Sequence, residues 1–338
     1  MDFNKLLDEM KSKYKDEVIL GLAEEEAFEI KYIPTGLIGV DYVIGRPGIP
    51  AWKLTQIAGF DNTGKSLLGL CLLVSFQKNY QEGVPVLINT EYSLDPDFFR
   101  KLGGNPERLL VFTPKTAEKV FEVFEELIRV VRKRYGKKPH IFCVIDSLSI
   151  ATEYEIKEKD LKPGEHARLL SHIFRRVRNR LYEWNATLVY ISQNKQKIPK
   201  SSFGVYSEKG TARLGGYAVE YAPILTLEIS RIKNEEDSSG ETIREYFGLK
   251  ATKNHVFVPF RKIVLLYETQ NARFRNGFNI FQFLVRREII KESGKGWYEY
   301  QGKKYREKDL IQVLEEDREI EISLRKELNI ELNEENLL

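Results

Sequence analysis

Cysteine is rare in this sequence, neither sign of charge is in surplus, and no long apolar run is present. The 338 residues include two cysteines, Cys71 and Cys143. Both lie inside apolar stretches, and neither has a Cys or His at metal-ligand spacing, so a disulfide framework and a zinc site are excluded. Both thiols are expected in the core of a protein kept reduced. Lys plus Arg number 53 against 50 for Asp plus Glu, a formal charge of +3, so no global basicity points to nucleic acid and any such surface must be local. No stretch approaches the roughly 18 apolar residues of a membrane helix. The opening "MDFNKLLDEM" carries charges where a secretory signal needs an apolar region, and the expected location is the cytoplasm.

What is present is a chain with 42% hydrophobic residues, enough for one large core with smaller appendages. Phe3, Leu6, Leu7, Met10, Tyr14 and Val18 recur at helical spacing, predicting a terminal helix that docks either on its own core or on a neighbouring copy. From Leu54 onward "LTQIA", "VLIN", "LLVF", "IFCVI" and "TLVYI" read as buried strands. The stripes Val120, Val123, Phe124, Leu127, Val131 and Leu170, Ile173, Phe174, Val177, Leu181, Trp184 read as helices between them. This alternation predicts an α/β protein with a mostly parallel twisted sheet. After Pro223, "ILTLEI", "REYFGLKATK" and "RKIVLLY" follow one another without long helices, predicting an antiparallel extension. From about Ala272 a small aromatic unit, "GKGWYEYQGKKY", and a charged helix predict a small C-terminal α+β domain.

The residues "GFDNTGKS" fit G-x-x-x-x-G-K-[ST] between a strand and a helix. Gly59, Phe60, Asp61, Asn62, Thr63, Gly64, Lys65, Ser66 and Leu67 are therefore expected to cradle phosphates. The glycines let backbone N–H groups face phosphate oxygens, the helix start adds a positive dipole end, and Lys65 adds a point charge. The Ser66 hydroxyl suits Mg²⁺. Three further strand ends carry polar groups: Glu91 after "VLINT", Asp146 after "IFCVI" and Gln193 after "TLVYIS". In open α/β sheets, ligands gather outside such carboxyl ends. Asp146 suits support of the metal opposite Ser66, Glu91 suits orienting or deprotonating a water, and Gln193 suits sensing the γ-phosphate.

Beyond Gln193, "NKQKIPKSSFGVYSEKGTAR" sets Lys195, Lys197, Lys200, Lys209 and Arg213 against the single acid Glu208, with Ile198, Phe203 and Tyr206 interleaved. Its Ser, Gly and Pro content argues against stable helix or strand. Cations meeting phosphates and apolar groups meeting unpaired bases predict a single-strand-binding segment that begins at Asn194. The arginine face Arg175, Arg176, Arg178 and Arg180 is read as the solvated side of a helix.

Taken together, these residues resemble the RecA-type homologous recombinases, from "YIPTGLIGVDYVIG" through "GWYEYQGKKY". "INTEYSLDP" is similar to the family segment with the catalytic glutamate, which implies that role for Glu91 and adenine contacts for Asp95 and Phe98. Tyr267 in "VLLYE" resembles the second adenine-side residue. "YISQNKQKIPK" resembles the sensor glutamine leading into the second DNA-binding loop, implying that Ile198 wedges between bases. "YEIKEKDLKPGEHARLL" takes the place of the first DNA-binding loop, with Arg168 at a DNA-contacting position. The resemblance implies a RecA-like ATPase core over 35–271, a packing helix and linker over 1–34, and a C-terminal domain over 272–338. It implies an ATP- and Mg²⁺-dependent helical filament of self-associated copies on single-stranded DNA, strand exchange with double-stranded DNA, and loader and single-strand-binding proteins as partners.

Two departures stand out. The family sets two cations across the protomer junction, and "TKNH" offers Lys253 but then His255, which carries less positive charge than lysine near neutral pH. The first loop is acidic in its early half and lacks the family's Met-Gly pair near Pro163 and Gly164. Two other readings therefore stay open, an accessory paralogue that binds ATP and DNA without exchanging strands and a hexameric helicase on the same core.

Overall fold

The computed structural model describes residues 2–14, 30–158, 163–196, 211–213 and 220–332. Helix α1 (Phe3–Tyr14) is followed by a ribbon of β1 (Tyr32–Ile33) and β2 (Ile49–Pro50) flanking α2 (Ile38–Ile44). The alternating part then runs β3 (Leu54–Gly59), α3 (Lys65–Asn79), β4 (Val84–Asn89), α4 (Pro96–Lys101), β5 (Leu110–Phe112) and α5 (Ala117–Tyr135). It continues through β6 (Ile141–Asp146), α6 (Leu148–Glu158), α7 (Pro163–Arg180), β7 (Ala186–Gln196) and β8 (Thr211–Arg213). Four strands follow, β9 (Leu225–Glu236), β10 (Thr242–Asn254), β11 (Lys262–Glu268) and β12 (Arg273–Phe274). The C-terminal part is α8 (Asn276–Arg286), β13 (Lys291–Gly294), β14 (Trp297–Tyr300), β15 (Lys303–Arg306), α9 (Glu307–Glu316) and α10 (Arg318–Glu327).

Nine strands of the large sheet lie in the order β5-β4-β6-β7-β3-β9-β10-β11-β12, with β8 paired to the far end of β7. Pairing is parallel from β5 to β9 and antiparallel from β9 to β12. The parallel strands read as largely apolar runs because both their faces are covered. Leu87, Phe142, Val144, Val189 and Ile191 point to one interior with α3, while Val86, Ile88, Cys143, Ile145, Leu188 and Tyr190 point to the other with α5 and α7. Replacing a fully buried ring such as Phe142 by alanine would cost about 3–5 kcal/mol.

Two details differ from the sequence expectation, and a third bears on an alternative it left open. The "LLVF" run is not wholly buried: β5 is the outermost strand, and Leu110 is 44% and Val111 39% exposed. The ends of the basic segment are strands, since β7 continues past Gln193 and pairs Asn194–Gln196 with Thr211–Arg213. On α1, Leu6 is 47% and Met10 41% exposed, so this stripe is not covered by the described residues of its own chain.

The C-terminal segment shares the main interior with α2, through Ile280, Phe283 and Leu284. Arg325 on α10 reaches back to the fully buried Asp41 on α2 at 2.8 Å. The pair is satisfied by the Thr35 hydroxyl, which donates to Asp41 Oδ1 at 2.7 Å, and by Glu321 on Arg325 Nε at 2.8 Å. A buried ion pair persists only with such supporting bonds, and removing one partner would cost about 3–5 kcal/mol. Among the described residues no helix is long and apolar enough to cross a membrane.

Candidate nucleotide site

Strands β4, β6, β7 and β3 are consecutive in the sheet, and their registers bring the polar carboxyl ends to one level. Gly59 pairs with Gln193 and Asn89 with Asp146. The loop after Gly59 turns through Asn62 at φ 56° and Gly64 at φ 87°. A Cβ on Gly59 would come within 2.4 Å of the Ile229 carbonyl, and one on Gly64 within 2.8 Å of the Phe247 ring. Glycine is therefore required at both positions by close approach, and at Gly64 also by the left-handed backbone. Thr63 Oγ1 donates to the Phe60 carbonyl at 2.8 Å, and the Lys65 ammonium donates to the same oxygen. Helix α3 begins at Lys65, so its free N–H groups and dipole face the loop. Burial pulls the Lys65 ammonium below its ordinary range, against the opposing pull of Asp61, Asp146 and Glu91.

A cleft of about 670 Å³ unites Asp61–Leu67 with Glu91, Phe98, Gln193 and Tyr267. Thr90 fixes the approach of Glu91: its N–H donates to the Asp146 carbonyl at 2.7 Å, and its hydroxyl donates to the Ser147 carbonyl at 2.8 Å. The Gln193 N–H donates to Ser149 Oγ at 2.9 Å. Phe98, on α4, and Tyr267, on β11, supply aromatic surface to the cleft. Burial, then Cys71 and Glu245, push the Tyr267 hydroxyl up to about 12.

Asp146 stands behind the loop rather than in the cleft lining. It is 5% exposed, and burial raises its carboxyl to about 6, with the Ser66 hydrogen bond and Lys65 opposing and Glu91 adding. Its Oδ1 has no hydrogen-bond partner. An orphaned carboxylate oxygen beside a serine hydroxyl and a phosphate cradle is a donor set suited to a hard divalent cation such as Mg²⁺. Asp95 does not enter the cleft lining; its carboxylate accepts from the Asp97 N–H at 2.9 Å and caps α4.

Four lining residues escaped the sequence reading: Arg231, Glu245, Phe247 and Thr269. They sit on or just after antiparallel strands whose alternating charged and apolar residues look like an ordinary solvated face. Only the cross-strand pairing of β9, β10 and β11 reveals them.

Lys253 and His255 lie far from this cleft. Lys253 pairs with Thr226 on β9 and donates to the Tyr221 carbonyl at 2.8 Å. The His255 N–H donates to the Ile224 carbonyl, whose own N–H donates to Leu54. His255 is thus level with the amino end of β3, about 17 Å along the strand from the phosphate loop, while the Lys253 backbone is level with Gln56 and its side chain reaches toward the same amino end. Burial and Arg178 pull the Lys253 ammonium down while Glu220 opposes them. Arg168 is exposed on α7, and Asn194 is buried at the end of β7. Lys195 and Arg213 fall on the β7–β8 ladder, while Lys197, Ile198, Lys200, Phe203 and Lys209 lie outside the described residues.

Comparison with known proteins converges on one family. The model of the RecA N-terminal domain matches residues 2–270. Protein RecA of Helicobacter pylori is 30% identical over 327 residues, covering 94% of this chain and 89% of that protein. Protein RecA of Clavibacter michiganensis is 28% identical, covering 92% and 84%, and that of Leifsonia xyli 29% identical, covering 84% and 76%. With a phosphate loop, a glutamate and a glutamine drawn to one sheet edge, and a family match over most of its length, this chain belongs to the RecA family.

Proposed function

We propose that this chain is an ATP-dependent homologous recombinase of the cytoplasm that assembles helically on single-stranded DNA and pairs it with a homologous duplex. The observation that carries the reading is the Gly59–Gln193 register. It sets the phosphate loop beside a glutamine whose strand runs directly into the β7–β8 ladder at the root of the basic segment.

In this reading the loop N–H groups and Lys65 hold the β- and γ-phosphates, and Ser66 with Asp146 would hold Mg²⁺, which when bound would supply positive charge to offset that of the phosphates. Glu91 orients a water and accepts its proton. The Gln193 side chain bonds the γ-phosphate, and any displacement of it is passed along the ladder to Asn194–Gln196 and Thr211–Arg213, tightening the grip of the segment on DNA. Hydrolysis releases that grip.

Lys253 and His255 stand at the sheet edge opposite the phosphate loop, with Arg178 among the charges acting on Lys253. Cations crowded at one edge and a phosphate cradle at the other are complementary only between copies. Such a head-to-tail contact is heterologous, and a heterologous contact that does not close generates a helix. The exposed stripe of α1 supplies a further contact of the same kind.

The test is joint-molecule formation by the purified chain, Mg²⁺, ATP, single-stranded DNA and a homologous or heterologous duplex. Joint molecules are expected with ATP and homology and not with ADP. A second reading, an accessory paralogue, is favoured by His255 in place of the family's second cation. ATP-dependent binding of single strands without joint molecules would decide for it.

A further inference from the structure

The cleft has a wall built from three antiparallel strands that the phosphate chemistry leaves unused. Arg231 on β9 pairs in register with Phe247 on β10. Glu245, two residues from Phe247, faces the same side and pairs with Tyr267 on β11. All four side chains line the cleft. Phe247 lies against Gly64 of the phosphate loop, so Glu245, about 7 Å further along the strand, stands next beyond the phosphates. The Glu245 carboxylate, 15% exposed, is held by Arg231 Nη2 at 2.7 Å.

A carboxylate repels phosphate, so it suits only the hydrogen-donating parts of a nucleotide. These are the sugar hydroxyls, which follow directly after the α-phosphate, and the base amine, which lies further out where Phe98 and Tyr267 provide aromatic surface. The position of Glu245, one step along β10 from the ring that lies against the phosphate loop and in register with Tyr267, matches the sugar. A carboxylate accepts at about four lone-pair sites, and the Arg231 contact leaves acceptor capacity while holding the group in one orientation. Resting on the reading of this cleft as an ATP site, we propose that Glu245, oriented by Arg231, accepts a hydrogen bond from the ribose 2′-hydroxyl and makes the site select ribonucleotides over 2′-deoxyribonucleotides. Glu245 is then a specificity residue and Arg231 its positioning residue.

The test is calorimetric titration of the full chain with Mg·ADP, Mg·2′-deoxy-ADP and Mg·IDP. The unaltered chain is expected to bind ADP about tenfold more tightly than 2′-deoxy-ADP, the scale of one charge-assisted hydrogen bond. Glu245→Ala should bring the two affinities together while leaving that for 2′-deoxy-ADP unchanged, and Glu245→Gln, which keeps an acceptor, should retain part of the preference. Arg231→Ala should fall between. Equal binding of both sugars by the unaltered chain, or an equal weakening of both by Glu245→Ala, would overturn the proposal. So would a Glu245→Ala effect confined to the ADP-to-IDP ratio, since the carboxylate would then read the base. Failure of the unaltered chain to bind any of the three would defeat the nucleotide reading itself, a separately recognisable outcome. Thermal unfolding midpoints of the variants check that each is folded.

Discussion

The two edges of the parallel sheet bury polar side chains to opposite ends. At the amino edge His140 is 5% exposed, and both ring nitrogens are bonded, Nδ1 to Asn185 Oδ1 at 2.8 Å and Nε2 to Thr187 Oγ1 at 2.9 Å. The indole N–H of Trp52 also donates to Asn185 Oδ1, and its backbone N–H donates to Thr187 Oγ1, both at 2.8 Å. These bonds assign the proton to Nδ1 of a neutral ring. At the carboxyl edge Asp146 Oδ1, Ser147 Oγ and Thr152 Oγ1 are buried with no partner. Thr55 Oγ1, within β3, is also unpartnered, and nothing in the structure explains it. A closed polar network stabilises a fold; an open one at a strand end is a site, where stability is given up for binding.

The largest test of this contrast is Glu91→Gln. Removing the general base proposed for the open edge should lower ATP turnover by about 10²–10⁴-fold and leave both the unfolding midpoint and ATP-dependent DNA binding intact. Undiminished phosphate release would remove Glu91 from its role.

Next in size is a pair of opposed pH effects. Burial lowers His140 from the ordinary 6.5 to about 4, so the unfolded chain takes up a proton before the folded one. The stabilisation from His140 is complete above about pH 6.5 and is lost as pH falls toward 4, amounting to about 3 kcal/mol. Burial raises Asp146 from 3.8 to about 6, so its contribution is present below about pH 4 and is lost as pH rises through 6, with a similar magnitude. Urea denaturation from pH 4 to 8 should show His140→Gln flattening the acid-side loss. Asp146→Asn should raise stability at pH 7 while abolishing Mg²⁺-dependent hydrolysis. Parallel pH profiles for the two variants would erase the distinction between the edges.

The smallest effects come from two threonines. Thr187→Val orphans the Trp52 N–H and one His140 nitrogen and should cost about 1–3 kcal/mol. Thr152→Val removes a hydroxyl that has no partner and should be neutral or stabilising by about 1 kcal/mol. Equal losses in both would show that the open edge is satisfied in solution.

Much of the carboxyl edge is legible in one dimension. The glycine-lysine-serine loop, and the acids and amide ending "VLIN", "IFCVI" and "TLVYIS", announce themselves because parallel strands buried on both faces are mostly apolar, so that polar groups following directly on them stand out. Phe98 and Tyr267 were placed by family likeness and do line the cleft. Asp95 was placed in the same way, yet its carboxylate caps α4, a local competition between capping and ligand that spacing alone cannot resolve. The amino-edge network was not legible, because His140, Asn185 and Trp52 carry no motif and meet only through turns. The Asp41–Arg325 pair joins residues 284 apart, with nothing in either neighbourhood to announce the other.

What the sequence determined by itself is the phosphate loop, the parallel alternation and the polar strand tips, since each follows from the local periodicity of apolar residues and the steric freedom of glycine. What only the tertiary structure decided is which strands became neighbours. Pairing β9, β10 and β11 in register turned Arg231, Glu245 and Phe247 into a wall of the cleft, and setting Lys253 near the amino end of β3 put it out of reach of its own phosphate loop. Register is a property of contacts between distant segments, and a strand's alternating pattern names its two faces without saying what either face will meet.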